Sequence, residues 1–188
     1  MTHEEIVQKV RDVLNEHGGS DGLSIATDRV LLDNYIETAV ADAVVLLASN
    51  GYEVNVETVS DFTFEDGDVN GLGFISLISV RDRAWKKSVT ELTDLDSPKY
   101  RMSQNEFTPV GVNNPMVVRF GDMLHCIPEE TGTMILRYNK VYDKTKGLKA
   151  SPKEATAVCY MTAALVLGIF GDEAGKQRFS DIALNMLK

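Results

Sequence analysis

The sequence predicts an α+β protein: a helical bundle from the N- and C-terminal helices, with an inserted antiparallel β-domain and a long central arm. Three observations predict it. Apolar residues recur at helical spacing up to residue 51 and again after residue 151, and between them they alternate at the two-residue spacing of strands. Residues 81–116 follow neither period. The organisation expected is one domain over 1–188, helical at 1–51 and 151–188, with a β-rich insert at 52–150 whose extended arm spans 81–116.

Taken in order, a first helix is predicted over 2–17, with Thr2 and Glu5 at capping-box spacing and Ile6, Val7, Val10, Val13 and Leu14 on one stripe. Gly18-Gly19 stops it. A second helix is predicted from a Thr27-Asp28 cap to Asn50-Gly51. Its apolar residues occupy more than one stripe, which implies burial on most sides, part of it against a neighbouring subunit. Tyr52, Val54 and Val56 alternate with Glu53, Asn55 and Glu57 as in a half-buried strand, and Phe62 and Phe64 continue the style. Strands follow at 73–80, 116–120, 123–127 and 133–141, the middle two joined by Gly121-Asp122 as a type II′ hairpin. Ser151-Pro152-Lys153-Glu154 opens a third long helix, and Asp172 caps the last, whose stripe is Phe179, Ile182, Ala183, Met186 and Leu187.

Composition narrows the function. Two isolated cysteines, Cys126 and Cys159, indicate neither a disulfide framework nor a zinc knuckle and point to a reducing compartment. The polar, acidic opening of the chain is unlike a secretory signal. The uncharged run from Ala155 to Gly171 contains two threonines, a tyrosine and two glycines and reads as a buried core helix, with no membrane contact expected. Net charge is −9, yet residues 1–70 carry fifteen acidic side chains against three basic ones. Such a region repels phosphate, so tight nucleic-acid binding through it is not expected. Two basic clusters stand apart: Arg81, Arg83, Lys86 and Lys87 around Trp85, and Lys140, Lys144, Lys146 and Lys149. Charge complementarity between copies is the expected use of both.

Enzyme chemistry finds little support. Asp66-Gly67-Asp68-Val69-Asn70-Gly71 matches the first half of a calcium loop, making Asp66, Asp68 and Asn70 candidate ligands. Position 12 of that loop is Leu77 where a bidentate glutamate is required, so an Asp-Gly turn between strands is the preferred reading. His125 and Cys126 are neighbours on a strand and point to opposite faces, while His3 and His17 are expected at the surface. No nucleophile elbow, phosphate-binding loop or dinucleotide fingerprint occurs, and no cofactor is expected. An enzymatic alternative is a metal-dependent hydrolase or nuclease using Asp61, Asp66 and Asp68; another is a small protein-binding regulatory module.

The segments Trp85-Lys86-Lys87-Ser88-Val89-Thr90-Glu91, Ser97-Pro98-Lys99-Tyr100, Gln104-Asn105 and Pro115 resemble the head-to-tail connector (adaptor or ring) proteins of tailed bacteriophages. So does Leu167-Gly168-Ile169-Phe170-Gly171-Asp172 before a short last helix. The likeness is greatest to the portal-proximal ring protein of crAss-like phages and covers residues 81–188; the N-terminal half is similar in organisation only. The resemblance implies a structural virion protein, assembled in the host cytoplasm, forming a homo-oligomeric ring (usually a dodecamer) below the portal. It implies contacts with identical subunits, portal protein and further tail proteins, around double-stranded DNA that passes without specific binding. It carries no catalytic residues. Under this reading the interface residues are Arg81, Arg83, Trp85, Lys86, Glu91, Pro98, Tyr100 and Phe107, with Trp85 the expected anchor to a neighbour.

Overall fold

Thr2 and Glu5 form the predicted capping box: the Glu5 amide donates to Thr2 Oγ1 at 3.3 Å and the Thr2 amide to Glu5 Oε2 at 2.8 Å. They start α1 (His3–His17) of the computed structural model, whose predicted apolar stripe is buried. The structure describes residues 1–17, 29–63, 68–103, 111, 113–128 and 133–188; the Gly18-Gly19 stop and the Thr27-Asp28 cap lie outside them. The chain is α+β and divides into two compact units, one of Met1–Asn55 with Val141–Lys188, the other of Val56–Lys140.

The first unit is helical. Within it α2 (Arg29–Ser49) buries Ile36, Val40, Val44 and Leu47. Helix α4 (Pro152–Ile169) opens with the predicted box, Ser151 Oγ accepting from the Glu154 amide at 3.3 Å and Glu154 Oε2 from the Ser151 amide at 2.7 Å. It packs against α1, α2 and the last helix, so most of its sides are buried, as an uncharged run requires. That last helix is α5 (Glu173–Leu187), capped by Asp172; the short α3 (Pro98–Ser103) belongs to the second unit.

Strand alternation over 52–57 places the strand start too early, although Val56, Glu57 and Phe62 are strand residues as predicted. Strand β1 is Val56–Thr63, whereas Val54 and Asn55 are buried in the helical unit. Asn55 Nδ2 donates to the Val141 carbonyl at 3.3 Å and Asn55 Oδ1 accepts from the Lys149 amide at 3.0 Å. The polar residue of the alternation is thus internal, holding both ends of the chain segments that lead into and out of the second unit.

The second unit has two three-stranded sheets. In one, β6 (Thr133–Lys140) lies between β1 and β2 (Phe74–Arg81), antiparallel to both. In the other, β4 (Met116–Phe120) lies between β3 (Leu92–Thr93) and β5 (Met123–Ile127). The β4–β5 hairpin forms where predicted, Phe120 opposite Met123, with Gly121 at φ +59°, a conformation that favours glycine. The β3–β4 pair is parallel, so the insert is not wholly antiparallel. A parallel pair needs a crossover of a dozen or more residues. Part of the arm, carrying α3 (Pro98–Ser103), is that crossover.

Trp85 is the largest departure from expectation. It is 3% exposed and sits in the core of its own unit with Val80, Val89, Leu124, Met134 and Tyr138. The Val80 and Val89 backbones bond reciprocally, at 2.7 and 2.9 Å, closing the loop that carries the indole inward. The aromatic expected to anchor a neighbour anchors the arm to its own sheets.

Candidate interaction surfaces

Of the candidate calcium ligands, Asp68 and Asn70 are among the described residues. Asp68 is exposed, and its Oδ1 accepts from the Asn70 amide at 2.8 Å, which starts a single 3-10 turn over Asn70–Leu72. Asp66 lies outside the described residues, and Asp61 is exposed on β1. Among the described residues no three His, Cys, Asp or Glu side chains are grouped to hold a metal ion. His125 is exposed and Cys126 buried, on opposite faces of β5 as their adjacency requires.

The other histidines are part-buried rather than fully at the surface. His17 Nε2 lies 2.8 Å from Asp172 Oδ2, with the ring edge-on to Phe179 at 5.1 Å. A Cβ at Gly175 would come within 2.5 Å of that carboxylate and 2.7 Å of that imidazole, so glycine is what lets α1 and α5 meet there. The Gly175 amide, then the His17 bond, hold the Asp172 carboxyl below its ordinary value. His3 Nδ1 lies 2.8 Å from the Tyr142 hydroxyl, and its Nε2 3.5 Å from Glu37 Oε1. Burial first, then the carboxylates of Glu4, Glu37 and Asp143, push the Tyr142 phenol up to about 12. Both histidines knit helices together. Local sequence does not show this, because His17 is 155 positions from Asp172, and His3 is 139 positions from Tyr142 and meets Glu37 on another helix.

The two basic clusters part company. Lys140 pairs with Glu57, Lys144 with Glu37 and Lys146 with Asp143, each at 3.8 Å. Arg81, Arg83, Lys86 and Lys87 are exposed and have no ion pair among the described residues. Arg81 and Arg83, with Ser60, Asp82, Thr133 and Ile135, border an open cleft of about 390 Å³. Ile135 is 45% exposed, and Asp82 is turned inward, its Oδ1 accepting from the Ala84 amide at 2.6 Å.

Three of the segments that carry the phage resemblance meet in the second unit, whereas residues 167–172 belong to the first. Lys87, Glu91, Lys99, Asn114 and Pro115 border one small cavity of about 150 Å³. Glu91 and Pro98 are exposed; Tyr100 is half-buried, 6.4 Å from the Phe120 ring. Phe107 and Gln104-Asn105 lie outside the described residues.

The helical unit offers a surface that the sequence located only to its helix. Beside its buried stripe, α2 carries a second one that faces outward. Leu31, Val45 and Leu46 are exposed, the last at 41%, and Tyr35 stacks edge-on to Phe170 at 5.5 Å. Phe170 and its neighbour Ile169, at the end of α4, are 44% and 55% exposed. Asp42, Val45, Leu46, Ser49 and Leu165 border an open groove of about 350 Å³. Two apolar groups, Tyr35 with Phe170 and Val45 with Leu46, are thus left outward, and grouped apolar residues mark an association surface more often than scattered exposed leucines do. Among the described residues no helix is long and apolar enough to cross a membrane.

Charge is shared evenly between the units. The helical unit holds fifteen acidic and ten basic residues, the β-rich unit thirteen and nine. The acidic excess at the start of the chain therefore does not define one acidic unit. No protein-family profile matches the chain, and no curated protein is significantly similar to it.

Proposed function

We propose that this chain is a non-catalytic assembly subunit, a protomer of the homo-oligomeric ring that joins head to tail in a tailed bacteriophage. The observation that carries the assembly reading is the outward apolar stripe of α2, continued by Ile169 and Phe170. Burying one leucine fully is worth roughly 1.5–3 kcal/mol, so covering several such residues drives association. The phage assignment rests on the resemblance over residues 81–188. In this reading the ring is a structural part of the virion, docks below the portal and takes further tail proteins on its other side. The net charge of −9 suits a channel through which DNA slides without being held.

Mass photometry tests both parts. The full chain, alone and mixed with the cognate portal protein, is expected to form rings, on the portal if not alone. Leu46→Asp is expected to remain folded and to lose them. A chain that stays monomeric with portal at every concentration overturns the proposal and points to a module that binds a single partner.

A further inference from the structure

Leu31, Tyr35, Thr38, Asp42, Val45 and Ser49 are separated by alternating steps of four and three residues. All lie on the outward side of α2, each exposed or half-buried. Steps of three and four keep residues on one face of a helix, so these six form one seam, with Leu31, Tyr35 and Val45 interleaved by Thr38, Asp42 and Ser49. This seam has one charge, Asp42, set among Val45, Leu46 and Leu165, and Asp42 has no ion pair among the described residues.

That carboxylate decides which surface can fill the seam. Two copies of α2 crossing antiparallel about their middle would place Asp42 of each beside Thr38 of the other. At 1.5 Å rise per residue the two carboxylates would then be roughly 6 Å apart along the axis, in a desolvated contact. Like charges in that setting oppose association. A self-complementary dimer is therefore disfavoured, and a heterologous contact, the kind that closes a ring, is favoured. It must bring a cation together with apolar surface. The cleft at Arg81 and Arg83 does so: both guanidinium groups lack an ion pair among the described residues and stand beside the exposed Ile135. Arginine also suits the task better than lysine, since its planar fork binds a carboxylate through two parallel hydrogen bonds. The lysines at 140, 144 and 146 already face acids of their own chain.

We infer that, in the ring, the Asp42 stripe of one copy docks into the Arg81–Arg83 cleft of the next. Asp42 is taken by the arginines, and Val45 and Leu46 cover Ile135. The inference rests on the ring reading above and specifies its subunit contact.

Charge reversal tests it on the full chain. One variant carries Asp42→Arg and a second carries Arg81→Asp with Arg83→Asp; all three positions are exposed, and thermal melting checks that each variant is folded. Ring assembly is followed by mass photometry over rising protein concentration, with and without cognate portal. Each variant alone is expected to assemble at least tenfold less readily than the unaltered chain. An equimolar mixture is expected to recover rings, because alternating copies restore opposite charges at every contact. Rings that tolerate either variant overturn the inference and leave the ring reading standing, as do variants that fail alone and fail equally when mixed. An unaltered chain that forms no ring under any of these conditions overturns both.

Discussion

Trp85 and the outward stripe of α2 are both apolar features, and their fates are opposite. The indole sits in a long segment of weak periodicity, yet it is 3% exposed and central to the β-rich core. Val45 and Leu46 sit in a regular helix, yet they are 42% and 41% exposed. The difference lies in geometry. An irregular segment can bend until its largest side chain is covered, as the Val80–Val89 bonds show. A helix is rigid and has a full circumference. When α4 covers one stripe of α2, a second apolar stripe on the other side has nowhere to turn. Apolar residues spread around a helix are thus a better sign of an association surface than a tryptophan in a long loop.

The largest expected effect breaks the comparison at its buried end. Trp85→Ala should destabilise the chain by about 3–5 kcal/mol, the usual cost of emptying a large aromatic site, measured by urea denaturation with a probe of β structure. A folded Trp85→Ala chain of unaltered stability that loses only assembly would return Trp85 to the interface. Next, Asn55→Ala leaves the Lys149 amide and the Val141 carbonyl without their side-chain partner and should cost about 1–3 kcal/mol in the same assay. Tyr138→Phe removes a 3.3 Å hydrogen bond to the Leu72 carbonyl while keeping the ring, and should cost ~0.5–1.5 kcal/mol. At the exposed end, Leu46→Ser should change the stability of the isolated chain by no more than ~0.5 kcal/mol, while weakening assembly. A large loss of monomer stability there would show that Leu46 is core.

Acid sharpens the comparison in a different way, because it alters charge and leaves packing composition alone. The Asp172 carboxyl is held below its ordinary value of 3.8, so it contributes stability above that value and loses it as pH falls through its lowered one. Melting temperature followed downward from pH 5 should fall less steeply in Asp172→Asn than in the unaltered chain. Equal slopes would show that the bonds from Gly175 and His17 do not favour the ionised form.

Much of the fold was legible where the information is local. Both capping boxes, the Asp172 cap, the Gly121-Asp122 hairpin and the order of the longer helices and strands all depend on residues within a few positions of one another, whereas the short α3 and β3 were not predicted. The strand start at Val56 was not legible: Asn55 has the polarity of a solvent-facing strand residue, and its reason for burial lies at Val141 and Lys149. The parallel β3–β4 pair escaped for a similar reason, since a two-residue strand has too little pattern to reveal its partner. The site was half legible. Apolar residues on more than one stripe of α2 were apparent, but which stripe stays uncovered depends on where α4 packs. The two basic clusters look alike as sequence; the positions of Glu37, Glu57 and Asp143 separate the paired one from the unpaired.

By itself, then, the sequence determined the class of fold, the starts of α1, α4 and α5, the hairpin and an excess of apolar surface on α2, because capping, turn chemistry and periodicity act over a few residues. Tertiary structure alone decided that Trp85 is core, that His3 and His17 tie helices together, and that Arg81 and Arg83 stand without acidic partners among the described residues. Burial and charge pairing are properties of neighbours in space, and those neighbours come from parts of the chain that no short-range pattern connects.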